Sequence, residues 1–336
     1  MTGEHPNHPD TSRIISGTTA GTAYLALPPT AVDARPAGPT RLLIAWPGFD
    51  PPRTSAAFAA AVPLTGVPTW RIYLDLPTAN GDPPHALSSG DLLEDAGIER
   101  YAAIVEQAAT RLPAVLAGLR RDLGVADGPI GLAGFSVGGA AALLTLARGL
   151  VPVSTAAVVM PMIAPARAVR FLEKRAGRER AWSSRVRDVA DRLDLGTLAG
   201  DIAGHGAPLL LIGGAKDRLV PPGEITALRD LLRQHGAEAA ESATFRMGHQ
   251  LTAEPGTDPL PPTTEAVRVD GALSDWFRER LATVGRQPPA QTVAHPPHEA
   301  ARPSHEPAGH RPAQGPVPLH LEGSKLEAAS GIGRRA

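Results

Sequence analysis

The chain has 336 residues, 43% of them hydrophobic, which is enough for one large α/β domain or two small ones with a real core. Its formal net charge is −1, so no global field draws it toward nucleic acid or an anionic membrane surface. It has no cysteine, which excludes disulfides, a thiolate nucleophile and cysteine-held zinc, and leaves the compartment open on that count.

The N-terminal stretch through Ser16 is polar and rich in His and Pro. It lacks the basic start and apolar centre of a secretory signal, and residues 1–12 read as a disordered lead. No apolar run reaches membrane-spanning length, so a soluble cytoplasmic protein is expected. Gly17 to Pro28 reads as an edge strand. Arg41 to Trp46 is a buried-strand pattern stopped by Pro47-Gly48, and Trp70 to Leu76 is another that ends at Pro77. Residues 78–94 read as loop. Asp95 to Leu123 is helical by spacing, with Ile98, Ile104, Ala108, Leu112, Val115 and Leu119 near one face and a kink or break expected at Pro113. Strands follow at Pro129–Phe135, Ala156–Met160, Pro208–Ile212 and Ser242–Met247. Helices are expected over Glu224–His235 and Val267–Val284. Strands alternating with helices predict a mostly parallel central sheet covered by helices on both faces. Such sheets hold ligands beyond the carboxyl ends of their strands. No internal repeat is visible.

At the end of the apolar run Pro129–Ala133 stands Gly134-Phe135-Ser136-Val137-Gly138-Gly139. This fits a nucleophile elbow, a sharp strand-to-helix turn that lifts a serine out of the sheet. The serine sits in a strained backbone conformation, so the residues two positions to either side must be small; here they are Gly134 and Gly138. The small-residue run Gly139–Leu144 starts a helix whose N-terminus offers N–H donors and a favourable dipole to an oxyanion. In a chain with 35 glycines the bare pattern arises easily by chance, so the remaining chemistry has to be present as well. Two residues supply it. Asp217 follows the strand 208–212, on Gly213-Gly214-Ala215-Lys216-Asp217-Arg218-Leu219-Val220-Pro221, and His249 follows the last strand in Arg246-Met247-Gly248-His249. Singly, one could be a turn aspartate and the other an ordinary loop histidine. Together they set Ser, Asp and His at three separate strand ends in the chain order of an α/β-hydrolase triad. The competing acids Asp191, Asp194, Asp201 and Glu224 follow no strand as directly. The competing base His205 precedes a strand, at the wrong edge of the sheet, and His85 lies on an early loop as a residue that could line the pocket.

On these residues the chain resembles the α/β-hydrolase-fold serine hydrolases over roughly residues 15–284. Gly-Phe-Ser-x-Gly-Gly, Asp-x-x-Val-Pro and Gly-His are similar to the carboxylesterase and acyl-thioesterase branch and to dienelactone-hydrolase-like proteins, although dienelactone hydrolases proper carry cysteine where this chain has Ser136. Members usually carry His-Gly after the early strand; here Pro47 takes the histidine's place and Gly48 is kept. The resemblance implies a core over 13–162 and 207–285, with a helical cap inserted over 163–206. It also implies a triad of Ser136, His249 and Asp217, with an oxyanion held by the backbone N–H of Val137 and that of Phe49, or alternatively Gly48. The implied reaction is cleavage of a small-molecule carboxylic ester or thioester through an acyl-enzyme. A peptidase or acyltransferase on the same site, or a non-catalytic binding protein of the same fold, remains open. This chemistry requires no metal or organic cofactor. No nucleic-acid partner is expected, and the oligomeric state is open.

Residues 163–206 hold a basic cluster, Arg167, Arg170, Lys174, Arg175, Arg178, Arg180, Arg185 and Arg187. Lys174, Lys216 and Lys325 are the only lysines, so arginine abundance reads as coding bias, and a solvated helical face is the simpler reading of this cluster. The sharper reading is a positive lid over an acidic substrate. The Pro- and His-rich stretch 286–336 is expected to be disordered. Its histidines at 295, 298, 305, 310 and 320 lack the partners and spacing of a specific metal site.

Overall fold

A computed structural model describes residues 13–30, 34–78 and 86–284. The lead over 1–12, His85 and the tail over 286–336 lie outside the described residues.

The interior strands are apolar at nearly every position because both of their faces are buried. Side chains alternate across a strand, so each apolar run feeds two cores at once. In β4 (Leu42–Trp46), Leu42, Ile44 and Trp46 enter one core while Leu43 and Ala45 enter the other. The same split holds in β6 (Ile130–Phe135), β7 (Val153–Val159) and β8 (Leu209–Gly214). With β1 (Ile15–Thr19), β2 (Thr22–Leu27), β5 (Trp70–Leu74) and β9 (Ala240–Phe245), these strands form an eight-stranded sheet in the order β1-β2-β5-β4-β6-β7-β8-β9. From β5 to β9 every pairing is parallel; β1 pairs antiparallel with β2, and β2 with β5. A separate pair joins β3 (Ala34–Pro36) to β10 (Ala282–Val284).

One core lies under α2 (Asp95–Leu123), α3 (Val137–Ala147) and α7 (Pro222–Gln234). The other lies under α1 (Ser55–Ala61) and α8 (Thr264–Leu281). The expected mostly parallel sheet with helices on both faces is therefore what the chain forms. Between β7 and β8 come α4 (Pro165–Ala176), α5 (Ser184–Arg192) and α6 (Ala199–Gly204).

Several local expectations are corrected. The single edge strand over 17–28 is a hairpin, because Ala20 and Gly21 both take positive φ (46° and 73°) and turn the chain in two residues. α2 runs unbroken through Pro113, whose ring sits on the exposed side. Buried Leu112, Val115, Leu116 and Leu119 on the other side offset the one backbone hydrogen bond that proline removes. The expected loop 78–94 contains a 3₁₀ turn at Ser89–Leu93. There Ser88 N–H and Oγ both donate to Asp91, at 2.7 and 2.9 Å. The closing helix ends at Leu281, and Ala282–Val284 pair as a strand. α1 was not expected: it is only seven residues long, and its start rests on Thr54, whose Oγ accepts from Ala57 N.

Candidate active site

Ser136 occupies the turn between β6 and α3 with φ 52° and ψ −113°, a conformation that costs an L-residue roughly 1–3 kcal/mol. The surroundings over-determine it. Ser136 N–H donates to Val159 O of β7 (2.9 Å), and its carbonyl accepts from Ala140 N (3.0 Å) and Met162 N (3.2 Å). The flanking glycines are steric requirements. A Cβ on Gly134 would stand 2.3 Å from Gly138 O, and one on Gly138 would stand 2.4 Å from both Trp46 O and Pro47 O.

The loop after β4 closes against this turn. Gly138 N–H donates to Pro47 O at 3.1 Å, and a Cβ on Gly48 would lie 2.9 Å from Ser136 Cβ and the Phe135 ring. Gly48 N–H is already donated to Pro52 O at 3.3 Å, whereas Phe49 N–H donates to no backbone carbonyl among the described residues. Pro47 therefore replaces the usual histidine without removing the close backbone approach.

The loops that carry Asp217 and His249 are pinned to one another. Ala215 N donates to Phe245 O (2.7 Å) and Lys216 N to Met247 O (2.9 Å). This brings the end of β8 and the end of β9 together under Ser136. Asp217 is buried. Its Oδ1 accepts from the N–H groups of Leu219 (2.9 Å) and Val220 (3.0 Å), and its Oδ2 lies 2.6 Å from His249 Nδ1. With Nδ1–H donated to that carboxylate, Nε2 is the acceptor for the Ser136 hydroxyl, 2.8 Å away. The imidazole also leans on Phe135, with ring centroids 5.6 Å apart. The three residues selected from chain order thus form one continuous hydrogen-bonded line.

The comparisons with known proteins bear on the fold. No protein-family model and no curated protein matches the sequence. Solved structures do. TT1662 from Thermus thermophilus is 21% identical with a TM-score of 0.53, over 79% of this chain and 98% of that one. The esterase Pf2001 of Pyrococcus furiosus is 14% identical with a TM-score of 0.52, over 84% of this chain and 98% of that one. The acylaminoacyl peptidase of Pyrococcus horikoshii is 13% identical with a TM-score of 0.55, over 80% of this chain; the match covers 41% of the peptidase, so this chain spans less than half of its length. The chain has the α/β-hydrolase fold.

On this α/β-hydrolase sheet the rejected candidates lie elsewhere. His205 ends α6, and a Cβ on Gly149 would stand 2.6 Å from its ring. Asp191 and Asp201 are exposed, and Asp194 caps Gly196 N at 2.9 Å. Glu224 opens α7 facing Arg167 at 3.7 Å; burial raises its pKa against the opposing pull of that arginine. Most of the basic cluster is spent on structure. Arg178 pairs with Glu94, Arg180 with Asp95 and with buried Glu173, and Arg185 with Glu99, while Arg170 stacks over Trp182. None of the described helices is long and apolar enough to cross a membrane.

Sequence reasoning assigned no role to Asp50. Its Oδ2 stands 3.9 Å from His249 Nε2, and its Oδ1 accepts from Ser89 N–H (3.3 Å) and Ser89 Oγ (3.1 Å). The available signal was its place one residue beyond Phe49, on the loop after β4. A cavity of about 610 Å³ runs along His249, Asp50 and Ser89, with Phe171 and Leu172 of α4 as its apolar wall. Ser136 itself is 1% exposed, one hydrogen bond behind His249.

Proposed function

We propose that the protein is a serine hydrolase that cleaves a carboxylic ester or thioester through an acyl-enzyme. The observation that carries this reading is the line Ser136 Oγ–His249 Nε2–Asp217 at 2.8 and 2.6 Å, anchored by a nucleophile in strained backbone. A serine hydroxyl is a weak nucleophile at neutral pH and needs a base in hydrogen-bond reach. Ser136 Oγ attacks the acyl carbonyl while His249 Nε2 takes its proton. The resulting oxyanion is held by the N–H groups of Val137 and Phe49, and the imidazolium is stabilised by Asp217. Collapse expels the alcohol or thiol, which leaves with the proton from His249. Water activated by the same nitrogen then attacks the acyl-serine and releases the acid.

The peptidase reading rests on likeness to the acylaminoacyl peptidase and to a puromycin-hydrolysing peptidase of Mycobacterium tuberculosis, the latter 17% identical with a TM-score of 0.54 and 39% of that chain covered. It uses the same Ser136 and differs only in the leaving group, an amine.

A fluorophosphonate probe tests the first step directly. The folded protein is expected to label on Ser136, and Ser136→Ala to remain unlabelled. A folded wild-type protein that does not label overturns the hydrolase reading in favour of a non-catalytic binding protein. Matched ester, thioester and aminoacyl-amide substrates then separate esterase from peptidase by their kcat/KM.

A further inference from the structure

The cavity beside His249 is electrically unlike the chain around it. The chain as a whole carries a formal charge of −1, yet the cavity wall holds Arg175 at the end of α4, Lys216 and Arg218 on either side of Asp217, and Arg246 three residues before His249. Against these four cations stand two acids, Asp50 and Glu265. Elsewhere several arginines of the segment between β7 and β8 are matched to carboxylates: Arg178 to Glu94, Arg180 to Asp95, Arg185 to Glu99 and Arg192 to Glu106. Among the described residues none of the four cavity cations takes part in a salt bridge. They come from three separate places in the chain, so their meeting is a product of the fold and not of a basic run in the sequence.

Two further observations give the cavity a direction. Asp50, held by Ser89, places a negative charge 3.9 Å from His249 Nε2, next to the reacting atoms. The four cations are exposed residues of the cavity wall. A group that carries negative charge and only accepts hydrogen bonds pairs with these cations.

Resting on the hydrolase reading, we propose that the substrate is an acyl ester or thioester carrying an anionic group, a carboxylate or a phosphate, set apart from the scissile carbonyl. Arg175, Lys216, Arg218 and Arg246 hold that group at the mouth. Asp50 disfavours an anion placed directly beside the carbonyl, so the enzyme measures the separation between the two.

The test uses mono-p-nitrophenyl esters of succinate, adipate and suberate, each against its neutral methyl-capped counterpart, at low and high salt. At low salt the adipyl and suberyl esters are expected to exceed their neutral counterparts in kcat/KM by at least about tenfold, with the ratio falling as salt screens the rim. Arg175→Gln with Arg246→Gln collapses the ratio. Arg187→Gln, an exposed residue of α5 outside the cavity wall, leaves it unchanged. Asp50→Asn relieves the penalty on the succinyl ester, and an unrelieved penalty overturns the role given to Asp50. A second arm compares butyryl-coenzyme A with butyryl-N-acetylcysteamine; a preference confined to this arm assigns the anion to a phosphate of the leaving group. If Ser136 labels with fluorophosphonate and neutral substrates turn over, but neither arm prefers the anion, the charge proposal is overturned and the hydrolase reading stands. If nothing turns over and Ser136 does not label, the hydrolase reading falls first and this proposal with it.

Discussion

Ser136 combines a strained backbone with a hydrogen bond to His249, and the two features have one cause. The turn that costs the residue its favourable φ is the turn that aims Oγ at the imidazole. Ser136→Ala and His249→Ala are each expected to lower kcat on a turned-over ester by at least about 10⁴-fold, the scale on which triad members act, with Tm within a few degrees of the wild type. Steady-state kinetics beside a thermal melt checks this, and retained turnover in either variant would contradict the assigned roles. Gly48→Ala is a subtler probe. The added methyl would stand 2.9 Å from Ser136 Cβ and the Phe135 ring, so the loop carrying Phe49, the proposed oxyanion donor, must retreat from Ser136. A loss in kcat of about 10²-fold is expected, the cost of misplacing one oxyanion donor. Both sets of residues could be read in the sequence, because an elbow needs glycines at fixed offsets and a triad needs a fixed order of strand ends. Asp50 could not. Its position depends on Ser89, 39 residues further along, and no local pattern announces that pairing.

At the scale of elements, the connection of β5 to α1 and α8 is unusually polar for a core. Arg71 of β5 is buried and donates to the carbonyls of Pro63 (2.8 Å), Leu64 (3.1 Å) and Pro28, while Asp270 of α8 accepts from Leu64 N at 2.8 Å. Arg71→Met keeps the volume and strands three carbonyls. We expect a loss of about 2–4 kcal/mol in chemical denaturation, and an unchanged midpoint would show that those carbonyls find other donors. Burial raises the Asp270 pKa, partly opposed by the Leu64 N–H bond and by Arg71. A carboxyl with a raised folded pKa favours the fold while protonated. That contribution is present below the ordinary aspartate range and is lost as pH rises through it to the folded value. Asp270→Asn retains an oxygen for Leu64 N and cannot ionise. Its Tm relative to wild type is therefore expected to improve as pH rises from about 4 to about 7; a difference that stays flat or falls would reverse the sign. The sequence presented Arg71 only as one letter inside an apolar strand. A charge sits there because the carbonyls of Pro63, Leu64 and Pro28 converge on its guanidinium.

Over the whole molecule, the segment between β7 and β8 is seated on α2 along a row of ion pairs, Arg178–Glu94, Arg180–Asp95, Arg185–Glu99 and Arg192–Glu106. Most of these side chains are substantially exposed, and exposed pairs are worth little individually. Buried Val169, Trp182, Val186 and Ala190 join the same core as α2. The segment is thus held chiefly by apolar burial. Raising salt from about 0.05 M to about 1 M is expected to shift Tm by no more than a few degrees. A cooperative loss of the segment at high salt, seen as a separate early transition, would show that the ion pairs dominate.

By itself the sequence determined the parallel sheet, the strand-to-helix turn at Ser136 and the order Ser136, Asp217, His249, because these follow from local rules: strands buried on two faces are apolar throughout, a strained turn needs glycine, and each of the three residues follows a strand end. It also determined the two small residues that let the loop after Trp46 approach Ser136. Only the tertiary structure decided that Gly48 spends its own N–H on Pro52. Only the tertiary structure separated the arginines that seat α4 and α5 on α2 from Arg175, Lys216, Arg218 and Arg246 around the cavity. A charge reads the same in sequence whether or not a carboxylate meets it, and the meeting is settled by elements far apart in the chain.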